Sequence, residues 1–308
     1  MTLDFSFLKA ASILKPRLEN GYSLQFVQVG AGGTGSWLAP HLCRIAKILQ
    51  QHSLNLSVKI IDPDYVEPPN LVRQNFCPAE LGCNKAETLA LRYGAALGLE
   101  VVAIAQPFDP ALLRTSSYSY HQTTIILIGC VDNYLARRQL AECLRSNQAY
   151  RPAPIWWLDL GNFHSGGQVL LGNTENLDRL KSAFPFEELC TALPSPALQH
   201  PELLEPEPQA FSPSALSEAN LSCEELSLHT TQSLTINQSM AAVASTYLVR
   251  LLSGRLKYFQ TYLNLEAMTT KSTYVTPHHV AKVLNLSPAH EATFFVKSAN
   301  AYQPPSSH

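Results

Sequence analysis

Residues 26–35, FVQVGAGGTG, constrain the fold more tightly than any other stretch of this chain. An apolar run (Phe26, Val27, Val29) stops at Gly30, and Gly30, Gly32 and Gly35 then fall in G-x-G-x-x-G register, with Gly33 as a fourth glycine. Residues 36–49 follow with Leu38, Leu42, Ile45 and Leu49 at spacings of three or four, the repeat of an amphipathic helix. Strand, glycine turn and helix in that order make a phosphate-binding device. The glycines let backbone N–H groups approach a pyrophosphate, and the helix N-terminus adds its dipole. The plain alternative is a glycine-rich turn with no ligand, and the turn alone does not separate a dinucleotide from ATP.

The rest of the chain repeats the alternation. Apolar segments at residues 56–61, 100–104, 124–129, 155–160 and 168–171 read as strands, with helices expected over residues 85–94 and from Asn133 through Arg145. Thr124–Gly129 is apolar throughout, as expected of a strand covered on both faces. The pattern predicts an α/β fold: a Rossmann-like, doubly wound, mostly parallel sheet with helices on both faces. Residues 1–20 read as a short helix ending near Pro16, and residues 65–83, with Pro68, Pro69, Pro78 and Gly82, as a long irregular loop. Residues 1–183 form the predicted nucleotide-binding core. Residues 184–222 hold seven prolines and little periodic apolarity, and are expected as a crossover loop or disordered insertion. Residues 223–299 supply a C-terminal helix over 234–252, with Gly254 beyond it, then two antiparallel strands near 258–265 and 272–276; 300–308 is a tail. There is no internal repeat.

Composition excludes some partners. Net charge is −2 with no lysine or arginine block, so no nucleic-acid footprint is expected. No uncharged apolar run approaches about 18 residues, so no membrane span is expected. The N-terminus has an early acid and an apolar stretch broken by Lys9, unlike a signal peptide. Seven scattered cysteines do not form a disulfide framework and point to a reducing, cytoplasmic setting.

Polar residues cluster after the second strand. Asp62, 27 residues beyond Gly35, stands where an acid meets a ribose hydroxyl in nucleotide folds, or where it caps a D-P-D turn. Asn70, Arg73 and Gln74 lie in the irregular loop and Lys85 follows Gly82, an amide, a fork and a point charge suited to phosphate oxygens. Asp132 ends an apolar strand, where a carboxylate can hold Mg²⁺ through one oxygen and waters. Singly, Arg73 and Lys85 could be surface charges and Asp132 a helix N-cap. Together they have no purpose in a nicotinamide oxidoreductase, the rival use of the same turn.

Four stretches in order, GAGGTG, IIDPDYVEPPNLVRQ, GCNKAE and GCVDNYLARRQL, resemble the ThiF/MoeB/ubiquitin-activating superfamily of adenylyltransferases, over at least residues 24–172. The later features LDLGNFHSGGQVLLG, Cys223 ahead of a helix with Ile236-Asn237-Gln238, and YLNLE resemble the ThiF-type family of the PRTRC plasmid-associated gene set. The resemblance implies that Gly30, Gly32, Gly33, Gly35 and Asp62 hold ATP, that Asn70, Arg73 and Gln74 line its phosphate side, and that Lys85 contacts it. Asp132 would bind Mg²⁺, and Arg137 is the arginine of the D-N-x-x-x-R motif. It implies attack by the C-terminal glycine carboxylate of a ubiquitin-like or sulfur-carrier protein on the α-phosphate, giving an acyl-adenylate and pyrophosphate. It also implies a homodimer, with an E2-like protein and a JAB-type peptidase as further partners. A catalytically silent scaffold of the same fold is the second rival.

The chain departs from that family in two respects. Many relatives carry two C-x-x-C pairs for structural zinc; none occurs here, the nearest spacings being Cys77 to Cys83 and Cys130 to Cys143, and zinc is not expected. His164, His278 and His279 read as surface histidines. The N-terminal R-x-x-R-Q-like segment that reaches a partner subunit is also missing, leaving Arg17 as the basic residue at a comparable distance. For a second, thioester-forming step Cys223 has the right placement, after the proline-rich stretch and before a helix, with Cys190 as the lesser candidate. Cys43, Cys130 and Cys143 read as core.

Overall fold

The computed structural model describes residues 6–19, 21–52, 54–113, 123–149, 154–162, 165–206 and 235–294. Cys223, His164 and the tail fall outside them. Ten strands are described: β1 (Ser12–Ile13), β2 (Ser23–Val29), β3 (Asn55–Ile61), β4 (Val101–Ile104), β5 (Thr123–Gly129), β6 (Ile155–Asn162), β7 (Gly166–Gly172), β8 (Leu189–Cys190), β9 (Tyr258–Asn264) and β10 (Thr269–Tyr274). Eight of them form one sheet in the order β10-β9-β7-β6-β5-β2-β3-β4. The five from β4 to β6 run parallel, and β7, β9 and β10 join antiparallel. This is the Rossmann-like α/β fold expected. From β2 the chain steps outward to β3 and β4, then returns to β5 on the other side of β2. Neighbours β2 and β5 therefore feed connections that diverge, and a crevice opens at their carboxyl ends.

Period-two alternation builds a core on each face. Phe26, Ile126, Ile128 and Leu158 point to one side, where they meet Leu38 and Leu42 of α1 (Gly33–Gln51) and Tyr247, Leu248 and Leu251 of the C-terminal helix Ile236–Leu252. Val27, Val29, Ile125 and Leu127 point to the other, with Trp157 and with Leu140 of the helix Tyr134–Cys143. A third cluster seats Leu89 of the helix Lys85–Leu97 against Ile60 and Ala39. The C-terminal helix ends as its glycine predicts: Gly254 has φ +67° and donates to the Leu251 carbonyl at 3.1 Å.

Two expectations change. Residues 6–19 are not a helix beyond the single 3₁₀ turn Ser6–Lys9; they run as an extended strap. β1 pairs in parallel with β8, Ala11 N–H donates to the Val275 carbonyl (2.9 Å), and Ile13 N–H to that of Leu256 (2.8 Å). Ala11 and Ile13 are each 1% exposed, so burial between two distant segments wins over local helical periodicity. Residues 184–206 are irregular, as a crossover would be, but they are packed. Phe184, Cys190, Leu193 and Ser195 are buried, the turn Pro196–Gln199 is helical, and Gln199 Nε2 donates to the Leu171 carbonyl at 2.9 Å. Pro196 and Pro201 each open a short helical turn, at the position where a missing N–H costs nothing, and the chain folds back onto β7.

Because Ile13 is enclosed by both β8 and the 256 and 275 segments, Ile13→Ala is expected to cost about 2–5 kcal/mol in urea unfolding. A cost below about 1 kcal/mol would show the strap to be peripheral.

Candidate functional site

The glycine turn lies at the crevice between β2 and β5, and its glycines do different work. Gly30 has φ +94°, and a Cβ there would stand 2.4 Å from the Cys130 carbonyl oxygen. A Cβ on Gly35 would stand 2.1 Å from the Gly30 carbonyl oxygen. These two positions exclude any other residue by contact. Gly32, by contrast, is open: a Cβ there would meet Gln74 Nε2 at an ordinary 3.7 Å. Gly32 is also the N-cap of α1, which has no side-chain capping bond, so that cap leaves first-turn donors to whatever fills the crevice. The turn is held from within by Gln28, fully buried in β2, whose Nε2 donates to the carbonyls of Gly30 (3.0 Å) and Gly35 (2.9 Å).

Asp62, at the end of β3, is 5% exposed and touches the turn directly. Its carboxylate accepts from the N–H of Ala31 (2.5 Å) and of Asp64 (2.8 Å). Burial pushes the Asp62 carboxyl above its ordinary range, against the pull of those two donors and of Lys85. Lys85 is no surface charge: it is 7% exposed and bonds the carboxylate of exposed Asp64 at 3.1 Å. Asn84 sets this geometry, capping the helix Lys85–Leu97 through Glu87 N–H while its Nδ2 holds the carbonyls of Asp62 and Asp64, each at 3.0 Å.

The 70–75 segment is docked against α1 by a device written into the helix. Pro40 has no N–H, so the Ser36 carbonyl one turn earlier lacks its helical donor. Asn75 Nδ2 takes that acceptor at 3.2 Å, and Asn75 N–H donates to Ser36 Oγ at 2.9 Å. Trp37 Nε1 donates to the Arg73 carbonyl at 3.1 Å. Arg73 and Gln74 are thereby carried to the edge of the glycine turn. Buried Asn70 instead faces its own loop, accepting from Glu67 N–H at 2.9 Å.

Asp132 follows β5 and is exposed. The N-cap of the helix Tyr134–Cys143 is Asn133, which accepts from Ala136 N–H at 2.8 Å, so Asp132 is free of the capping role that sequence left open. Arg137 is buried, and its guanidinium meets Asp159 (3.4 Å) and the Val131 carbonyl (2.8 Å). Asp159 is fully buried, its second oxygen has no partner, and burial pushes its carboxyl up even with Arg137 alongside. Thus the structure brings Gly30, Gly32, Gly33, Gly35, Asp62, Gln74, Lys85 and the Asp132 loop to one crevice, with Arg137 engaged by Asp159 and the Val131 carbonyl.

Of the six described cysteines Cys77 and Cys83 are exposed, and the other four are held as unreactive thiols by burial. Cys190 is fully buried with its thiol pushed to about 12, Cys43 to about 11 and Cys143 to about 12, all by burial. Cys130 is half-buried, and burial with Asp159 and Asp62 nearby raises its thiol further. Arg17 is held by Tyr22, donating to its hydroxyl at 2.6 Å. Among the described residues no cluster of three or more His, Cys, Asp or Glu could hold a metal by itself, and no helix is long and apolar enough to cross a membrane.

Sequence reading passed over Gln28, Ser36, Asn75, Asn84 and Asp159. One signal was available: a polar residue inside an apolar strand, as in FVQV and WWLDL, must be satisfied by something specific when buried.

Among solved structures, the microcin C7 biosynthetic enzyme MccB in complex with N-formylated MccA aligns with a TM-score of 0.50 at 15% identity, covering 82% of this chain and 64% of that one. E. coli MccB with ATP aligns at 0.48 and 15% identity, covering 84% and 65%. PaaA aligns at 0.47 and 17% identity, covering 83% and 64%. At such identities the likeness is one of fold, and this chain spans just under two thirds of each neighbour's length. A search of curated proteins found no match. Residues 11–283, which take in the turn, the 62–85 segment, the Asp132 loop and the C-terminal helix, match the ThiF family, and the chain belongs to that family.

Proposed function

We propose that this protein is an ATP-dependent adenylyltransferase acting on the C-terminal carboxylate of a polypeptide, the substrate being a ubiquitin-like or sulfur-carrier protein that ends in glycine. The observation that carries the reading is the meeting of an uncapped glycine turn, Asp62, Lys85 and exposed Asp132 at one crevice, where the connections of β2 and β5 diverge. An oxidoreductase would use the turn and Asp62 but not the docked 70–75 segment or Lys85. A silent scaffold would not need every one of these polar positions filled.

The chemistry follows from charge. A carboxylate oxygen attacks the α-phosphorus, the bond from that phosphorus to the bridging oxygen of the leaving pyrophosphate breaks, and an acyl-adenylate results. The nucleophile is already ionised at neutral pH, so no general base is required. The difficulty is bringing an anion to an anion, which calls for fixed donors and cations. The α1 N-terminus and Lys85 supply these, Arg73 and Gln74 border the phosphates, and Asp62 meets the ribose. Asn70 holds the loop that presents Arg73, and Arg137 braces the loop that presents Asp132. Asp132 suits Mg²⁺, which takes one or two carboxylates plus phosphates and water, and the ion would neutralise charge on the leaving group.

By its likeness to the PRTRC set, we extend the reading to a cytoplasmic homodimer working with an E2-like protein and a JAB-type peptidase, and to thioester transfer onto Cys223.

Asp132→Ala should lower ATP–pyrophosphate exchange with a carrier by about 100-fold or more, while changing unfolding free energy by no more than about 0.5 kcal/mol. Near-normal exchange would sink the assignment. In Gly32→Ala the added methyl would meet no atom closer than 3.7 Å, and the variant should bind ATP about tenfold more weakly because the methyl occupies the phosphate approach. Equal affinity, measured by titration calorimetry, would mean that phosphates do not approach that face.

A further inference from the structure

Two motifs have no part in the chemistry above: the asparagine that ends LDLGN, and the asparagine of Ile236-Asn237-Gln238. The fold brings them together at the glycine turn. Asn237, 1% exposed, sits in the first turn of the C-terminal helix Ile236–Leu252. Its Oδ1 accepts from Asn162 Nδ2 at 2.5 Å and from Thr34 Oγ1 at 3.2 Å, and Asn162 Nδ2 also reaches Thr34 Oγ1 at 3.3 Å. Its Nδ2 donates to the Arg73 carbonyl at 3.4 Å. A Cβ on Gly33 would lie 2.8 Å from Asn237 Oδ1, so the amide is pressed against the turn itself.

From this geometry we infer that Asn237, with Asn162, is a positioning residue for nucleotide binding: one amide sets the distance between the α1 N-terminus and the segment carrying Arg73. The inference rests on the ATP-binding part of the proposed function. Both of its functional ends are used at once. The acceptor end locks Thr34, whose neighbours supply the phosphate-facing N–H groups, and the donor end locks the backbone of Arg73. Trp37 grips the same Arg73 carbonyl from α1, so Asn237 adds a second anchor from an element 164 residues away in sequence. Removing it leaves each part in place but releases their spacing, and a loosened spacing weakens an anion site whose donors must converge. The site thus depends on the C-terminal half of the chain.

The test is ATP titration of the full chain, with thermal unfolding recorded on the same samples. Asn237→Ala is expected to bind ATP about tenfold more weakly, the size expected from losing two or three modest hydrogen bonds. Asn237→Asp is the discriminating variant. It keeps the acceptor but turns the donor into a second acceptor facing the Arg73 carbonyl. Its ATP affinity, taken relative to wild type at each pH, should be lowest near pH 8. It should recover toward pH 5, where a protonated carboxyl can donate again. A purely structural asparagine would give no such recovery. If wild type binds ATP while Asn237→Ala binds within twofold of it, or Asn237→Asp shows no pH-dependent recovery, the inference is overturned and the proposed function stands. If wild type does not bind ATP, the proposed function fails and the inference with it. Should Asn237→Ala not fold, Thr34→Val, which removes the Thr34 hydroxyl at constant volume, is expected to weaken ATP about threefold, and unchanged affinity there also overturns the inference.

Discussion

The contact on which the molecule depends is the close approach of two strand ends: the backbone of Gly30 against the carbonyl of Cys130. No side chain fits between them, and the same crowding repeats one turn on, where Gly35 meets the Gly30 carbonyl. β2 and β5 can therefore sit side by side to their last residues, with Cys130 N–H bonding the Val29 carbonyl at 2.7 Å, while on the other side of β2 the Gly30 N–H bonds the Ile61 carbonyl of β3 at 2.9 Å. The crevice between diverging connections is a consequence of strand order. The close backbone packing at its base is a consequence of two missing Cβ atoms.

Around that contact the protein buries polar groups that would destabilise an ordinary core. Gln28 takes an apolar strand position and supports the turn with two bonds. Asp159 and Arg137 form a buried pair, an arrangement whose desolvation cost commonly matches its Coulomb gain. Such a pair contributes little net stability. What it does contribute is a fixed Val131 carbonyl, and so a fixed path for the loop that carries Asp132.

The α1 helix is the hub of the site. Its N-terminus faces the crevice, its Ser36 and Trp37 hold the 70–75 segment, and its Thr34 is gripped by Asn237. Pro40, which weakens a helix when considered alone, frees the Ser36 carbonyl that Asn75 then occupies. A local defect is turned into a tertiary bond, and the loop with Arg73 gains a defined place.

The sequence by itself determined the sheet and the position of the crevice. Apolar runs at residues 26–29 and 124–129, glycines at 30 and 35, and the alternation of strand and helix are local properties that need no knowledge of distant residues. They also marked Asp62, Lys85 and Asp132 as chemically apt. Only the tertiary structure decided which of these are free and which are engaged. Lys85 is buried against Asp64, Asp132 is relieved of capping by Asn133, and Arg137 is turned onto Asp159. The strap at residues 6–19 and the packed segment 184–206 escaped sequence reading for the same reason. Their conformations are set by bonds to residues 256, 275 and 171, and contacts across such separations leave no periodic trace in the chain. Asn237 is the clearest case: the sequence marks it by resemblance at a helix start, but its meaning lies in a turn 203 residues earlier.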